Sequence, residues 1–324
     1  MLGGGSWGTA LAAHLARSGH AVRLWLREPA LARAINERRE NAAYLPGIRL
    51  PEGMDATTDL GGATAGAENV FVVIPSEFCR AIYRQLGPVV PRGAVLVSAT
   101  KGIETGTLSR MTEVAALEAP GHLLAVVSGP SFALEVAQGQ PTTVVVAASD
   151  LAVAEAVQRA LSSRTFRAYS SDDVVGVEVA GALKNVIAIA AGIIDGLGYG
   201  HNTVAALITR GLAEMTRLAV AMGGRADTLS GLAGLGDLVL TCTGALSRNR
   251  RVGQALGAGR TLGEATAGTN MVAEGVRTTL AACALADRTG IEMPIARQME
   301  AVLYHGKSPR DAVEELMLRS LKRE

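Results

Sequence analysis

Residues 1–20 read MLGGGSWGTALAAHLARSGH, and this stretch decides the fold. Gly3, Gly5 and Gly8 have the spacing G-x-G-x-x-G and open a run of helical composition. The first glycine of such a loop permits a tight turn. The second lets the backbone approach a pyrophosphate, and the third lets the helix pack closely on a sheet. The helix N-terminus then offers free N–H groups and a partial positive charge to phosphate oxygens. Such a turn normally follows a β-strand, yet only Met1 and Leu2 precede it here. The motif alone is short and also suits a plain turn, so the residues behind it carry the argument.

Behind it, the chain alternates. A helix is expected over 6–18, a strand at AVRLWL (21–26) and a helix over 29–39. NVFVVIP (69–75) reads as a buried strand, followed by a helix over 76–86. AVLVSATK (94–101), LLAVVSGPS (123–131) and TTVVVAA (142–148) are further strands. Short apolar runs separated by helical stretches indicate βαβ units in an α/β, doubly wound parallel sheet of the Rossmann kind. After about residue 172 the strand signals stop. Ala-, Leu- and Val-rich stretches with helical spacing run over 174–194, 203–222, 272–288 and 309–322. With 324 residues, two domains are expected. They are a dinucleotide-binding Rossmann domain over 1–171 and an all-helical substrate-binding domain over 172–324, with the change near AYSSDD (168–173).

Composition narrows the partners. The net charge is +1, from 31 basic and 30 acidic residues, and aromatic residues make up 3%. No basic field or stacking platform points to nucleic acid, so anion recognition must be local. Cys79, Cys242 and Cys283 are scattered. They form neither a disulfide framework nor a zinc pattern, which fits a reducing, cytoplasmic setting. VIAIAAGII (186–194) falls short of the ~20 residues of a membrane span. No signal peptide is recognisable.

Several residues suggest the chemistry. An acidic residue at the end of the second strand would bind the adenosine ribose of NAD; here Arg27 ends it, with Glu28 next. An arginine suits a 2′-phosphate, so NADP is favoured, with NAD the alternative. Lys184 lies in the apolar VEVAGALKNVIAIAAG (177–192), followed directly by Asn185. A proton donor with a pKa near working pH is what carbonyl reduction needs, and burial lowers a lysine pKa while a nearby phosphate raises it. Among the histidines, His201 in GYGHNT is expected in a loop. In SRNRR, Arg248, Arg250 and Arg251 offer phosphate donors. Asp237 follows Gly231, Gly234 and Gly236 and has no carboxylate or histidine cluster beside it. It is expected to orient Lys184 or a substrate hydroxyl, and no metal is expected.

Three stretches, SGPSFA (128–133), GVEVAGALKN (176–185) and GLAGLGDLVLTCTGALSRNRRVG (231–253), stand with GSWGTALA (5–12) and VAEGVRTT (272–279). Together, in order and nearly end to end, they closely resemble the NAD(P)-dependent glycerol-3-phosphate dehydrogenases of bacteria. The resemblance implies reduction of dihydroxyacetone phosphate to sn-glycerol 3-phosphate, the backbone precursor of phospholipids. It implies that Ser6 and Trp7 flank the cofactor, with Arg27 at its adenosine end. Lys101 would lie where cofactor and substrate meet. Gly129 and Ser131 would touch substrate, and Ala133 the cofactor. Lys184 would donate and accept the proton. Asp237, Ser247, Arg248 and Asn249 would complete the substrate pocket, with Arg248, Val272 and Glu274 also on the cofactor.

Two rivals remain. A β-hydroxyacid dehydrogenase usually places its Asn a helical turn after the lysine, and a non-catalytic dinucleotide sensor would leave Lys184 without a role. The helical half is compatible with a homodimer. Relatives carry further apolar residues ahead of the glycine loop, so the natural protein is expected to begin upstream. Leu2 is expected in the sheet, between the strands at AVRLWL and NVFVVIP.

Overall fold

The computed structural model describes residues 1–267 and 273–321. The chain forms two compact units. One comprises Met1–Lys101 with Ser109–Glu178, the other Gly102–Leu108 with Val179–Glu324.

The first unit is built on strands β1 (Val22–Trp25), β2 (Met54–Thr57), β3 (Asn69–Val72), β4 (Val95–Ser98), β5 (Leu123–Ser128), β6 (Thr142–Ala147) and β7 (Phe166–Ser171). β1 pairs with β2, and β3 to β7 pair in sequence order. Leu2 joins the two groups, bridging Trp25 on one side and Val72 on the other, both parallel. Its N–H donates to the Phe71 carbonyl at 2.7 Å, and the Gly3 N–H donates to the Trp25 carbonyl at 2.9 Å. Leu2 therefore lies where the sequence places it, and it is fully buried. Every residue of β4 is buried, as expected of a parallel strand covered on both faces.

The sheet departs from the expected parallel arrangement at one pair: β5 and β6 are antiparallel, Val126 facing Ala147. Their connection holds only a five-residue helix, Ala133–Ala137. That helix rises ~7.5 Å, less than the ~20 Å of a six-residue strand, so the chain does not return to the other end. The strands β2 and β7 were not expected. Both lie at sheet edges and alternate polar with apolar residues, MDAT and FRAYSS. Edge strands lack the continuous apolar run that marks buried ones.

Among the described residues the second unit holds no strand. Its helices include Val174–Gly196, His201–Ala221, Asp237–Thr243, Arg248–Gly257, Glu274–Thr289 and Pro309–Met317. His201 therefore starts a helix and is not in a loop. The helix expected to reach residue 322 ends at Met317. Val174–Gly196 is long and apolar enough to cross a membrane, but its most apolar window is entirely buried in the protein.

Glycines set one close helix pair. A Cβ on Gly253 would sit on the Ile189 carbonyl, and one on Gly257 on the Ile193 carbonyl. Gly192 and Gly196 meet the Arg250 and Gln254 carbonyls in the same way. Small residues four apart on both helices thus bring two backbones into contact.

Candidate active site

In the first unit the glycine loop leads into the helix Ser6–Arg17. Gly3 has φ +117°, and a Cβ there would strike the Val73 carbonyl. A Cβ on Gly8 would strike the Gly3 carbonyl. Gly5 is different. It has ordinary extended backbone, φ −69°, and a Cβ there would meet nothing within 4 Å. Neither conformation nor packing among the described residues requires glycine at this position, so the open space is what a close-lying ligand would use. No side chain caps the helix and its first turn contains no acidic residue. The loop therefore fits a dinucleotide pyrophosphate.

The neighbouring cofactor candidates have varied surroundings. Ser6 Oγ donates to the Tyr44 carbonyl at 2.6 Å. Trp7 packs against the core, and its buried Nε1 has no hydrogen-bond partner among the described residues. The Arg27 side chain is exposed, 3.8 Å from Glu28, with its guanidinium 5.5 Å from the Phe78 ring centroid. Lys101 Nζ and Ser131 Oγ both donate to the Gly129 carbonyl, at 3.0 and 2.9 Å. Gly129 has φ +140° and lies tight against Val144. Ala133 begins the short helix that follows.

In the second unit Lys184 and Asn185 are buried in the long helix. Lys184 Nζ donates to Asp237 Oδ1 and to Thr241 Oγ1, each at 2.7 Å. Thr241 Oγ1 in turn donates to the Asp237 carbonyl at 2.6 Å. A π-helical turn, Leu232–Gly236, delivers Asp237; such turns recur at functional sites. The sequence reading missed Thr241. Its signal is the i, i+4 spacing from Asp237, which puts both side chains on one helix face. The nearby Cys242 thiol is pushed up to about 12 by burial, so it stays neutral and unreactive.

Asn249 Nδ2 donates to Asn185 Oδ1 at 2.9 Å, and Asn249 Oδ1 accepts the Gly275 N–H at 3.0 Å. Gly275 is required there because a Cβ would crowd the Asn185 carbonyl. Ser247 caps the helix that carries Asn249, its Oγ accepting the Arg250 N–H at 3.2 Å. The three arginines separate. Arg250 is tied to Asp195 at 2.9 Å. Arg248 is exposed and makes no hydrogen bond or ion pair among the described residues. Partial desolvation lowers its pKa, while Glu274, the first residue of its helix, raises it and Arg251 lowers it. Val272 lies outside the described residues.

Thus the structure gathers Lys101, Gly129 and Ser131 in one unit, and Lys184, Asp237 and Thr241, with Asn185, Asn249 and Gly275, in the other. Family models fit both halves. The N-terminus of NAD-dependent glycerol-3-phosphate dehydrogenase matches residues 1–154, and its C-terminus residues 173–314. A Geobacter sp. (strain M21) protein named glycerol-3-phosphate dehydrogenase (NAD(P)+) is 55% identical over 327 residues, covering 100% of this chain and 98% of that protein. Its namesake from Nitratidesulfovibrio vulgaris (strain DP4) is 54% identical over 326 residues, covering 100% and 99%. The crystal structure of glycerol-3-phosphate dehydrogenase from Coxiella burnetii superposes with a TM-score of 0.94 at 43% identity, covering 98% of each chain. A glycine loop open at Gly5, a buried lysine–carboxylate pair and an arginine without an ion pair among the described residues thus occur in a chain that matches these relatives nearly end to end: it belongs to the NAD-dependent glycerol-3-phosphate dehydrogenase family.

Proposed function

We propose that this protein catalyses the reversible NAD(P)H-dependent reduction of dihydroxyacetone phosphate to sn-glycerol 3-phosphate. In this reading it is a cytoplasmic homodimer that supplies the glycerophospholipid backbone. NADPH is the favoured cofactor, residues 1–171 bind the dinucleotide and residues 172–324 bind the substrate. The observation that carries the reading is the Lys184 ammonium, buried and held by Asp237 and Thr241. When bound, the nicotinamide supplies a hydride to the carbonyl carbon. Lys184 gives the proton from Nζ to the carbonyl oxygen and takes it back in the reverse direction. Asp237 and Thr241 hold Nζ in place. Asn249 engages Asn185 Oδ1, which leaves the Asn185 amide nitrogen to donate to a substrate oxygen. Arg248 binds the phosphate through charge-assisted hydrogen bonds. Ser247 holds the helix start on which Arg248 stands, and Lys101, Gly129 and Ser131 complete the substrate contacts. Gly3, Gly5, Ser6, Trp7, Gly8, Arg27, Ala133 and Glu274 serve the cofactor.

The test is NADPH oxidation with dihydroxyacetone phosphate, set against unphosphorylated ketones and β-keto acids. Turnover confined to the phosphorylated ketone supports the reading. Equal or faster turnover of a β-keto acid overturns it.

A further inference from the structure

Asn41 is fully buried in a segment that no cofactor or substrate assignment reaches. Its Nδ2 donates to the Gly4 carbonyl and to Thr9 Oγ1, both at 2.8 Å. Thr9 Oγ1 also donates to the Gly4 carbonyl, at 3.3 Å. Asn41 Oδ1 accepts the Tyr44 N–H at 3.2 Å, and the Leu45 N–H donates to the Asn41 carbonyl at 2.8 Å. The turn so formed presents the Tyr44 carbonyl to Ser6 Oγ at 2.6 Å. Residues 41–44 therefore grip the glycine loop at Gly4, Ser6 and Thr9.

The grip has a directional consequence. No peptide bond among the described residues is cis, and in a trans peptide the C=O and the following N–H point in opposite directions. Turning the Gly4 carbonyl onto Asn41 points the Gly5 N–H away from it. That N–H makes no hydrogen bond among the described residues, and the Cβ position beside it is open.

We propose that Asn41 is a positioning residue for the dinucleotide: with Thr9 as its second arm, it sets which way the Gly4–Gly5 peptide faces and so presents the loop N–H to the pyrophosphate. The proposal rests on the functional reading above. Asn41 touches no ligand. It acts by removing the alternative in which the Gly4 carbonyl turns outward and meets the phosphate oxygens with its own lone pairs.

The test compares the wild-type chain with Asn41→Leu, Thr9→Val and Thr9→Ser. The readouts are the NADPH dissociation constant from nicotinamide fluorescence, the KM for dihydroxyacetone phosphate, turnover at saturating NADPH, and the melting temperature. Asn41→Leu keeps the shape and removes the donors. We expect its NADPH dissociation constant to rise about tenfold or more, the scale of one lost buried hydrogen bond. Turnover at saturating NADPH and the KM for dihydroxyacetone phosphate should change far less. Thr9→Val should weaken NADPH in the same sense, and Thr9→Ser should restore it. An unchanged dissociation constant in folded Asn41→Leu overturns the proposal, as does equal weakening by Thr9→Val and Thr9→Ser. If Asn41→Leu does not fold, the Thr9 pair decides. A wild-type chain that binds neither NADPH nor NADH overturns the functional reading and this proposal with it. A wild-type chain that binds NADPH, with variants that bind it equally, overturns only the proposal.

Discussion

Lys184 and Asp237, 53 positions apart in sequence, form an ion pair of 2.7 Å with their side chains only 7% and 1% exposed. Removing one partner of such a pair strands the other charge, at ~3–5 kcal/mol. Lys184→Met should therefore lower stability as well as turnover, the latter by at least ~10²-fold. Lys184→Met combined with Asp237→Asn should regain stability but not turnover. Thermal melts and steady-state rates on both variants check this. Near-normal turnover in either would remove Lys184 from the chemistry.

Arg248 and Arg250 should behave differently although they lie two residues apart. Arg248→Ala should weaken the phosphorylated substrate by ~1.5–3 kcal/mol, with little effect on an unphosphorylated ketone. Arg250 is tied to Asp195, so Arg250→Ala should affect stability more than substrate KM. Matching KM values for the two variants would argue against Arg248 as the phosphate anchor.

Arg27 is exposed and lies over the Phe78 ring. Arg27→Ala should raise the dissociation constant of NADPH more than that of NADH, because only NADPH carries the 2′-phosphate. Titration with both cofactors measures the ratio, and equal losses would mean that Arg27 does not read that group.

A Cβ on Gly253 would overlap the Ile189 carbonyl. Gly253→Ala must push two helices apart, and overpacking of this kind costs ~1–3 kcal/mol. The helix pair carries Asn185 and Asn249, so substrate KM should rise together with the loss of stability. Gly259→Ala is not a useful control because φ is +87° there. Gly5→Ala, with open space around its Cβ, should leave the melting temperature nearly unchanged while weakening the cofactor.

Glu214 is buried and accepts the Ile295 and Ala296 N–H groups at 2.8 and 3.4 Å. Burial raises its pKa to about 7 against the ordinary 4.5, outweighing those hydrogen bonds. The folded state therefore holds this proton more tightly than the unfolded chain does, so the contribution of Glu214 to stability falls as pH rises from about 4.5 to about 7. Denaturant unfolding across that window should show the slope in the wild type and lose it in Glu214→Gln. Parallel curves would assign the pH dependence to other groups.

Periodicity and spacing were enough for much of this protein. Runs such as NVFVVIP are apolar because strands buried on both faces must be, and the Ala- and Leu-rich stretches after residue 172 can only bury themselves as packed helices. The glycine spacing and a lysine inside an apolar helix are local facts with local physical causes, so both were legible without a structure. The tertiary structure decided what depends on partners distant in the chain. It turned Asn249 onto Asn185 across 64 positions and tied Arg250 to Asp195 across 55. It set Asn41 under Gly4 across 37, and it made β5 and β6 antiparallel. The arginines in SRNRR look alike as letters; what separates Arg248 from Arg250 is that folding tied Arg250 to Asp195 and brought no carboxylate within ion-pair distance of Arg248 among the described residues. A hydrogen bond or an ion pair depends on separations of about 3 Å, and such separations between remote residues exist only once the backbone between them has taken its path.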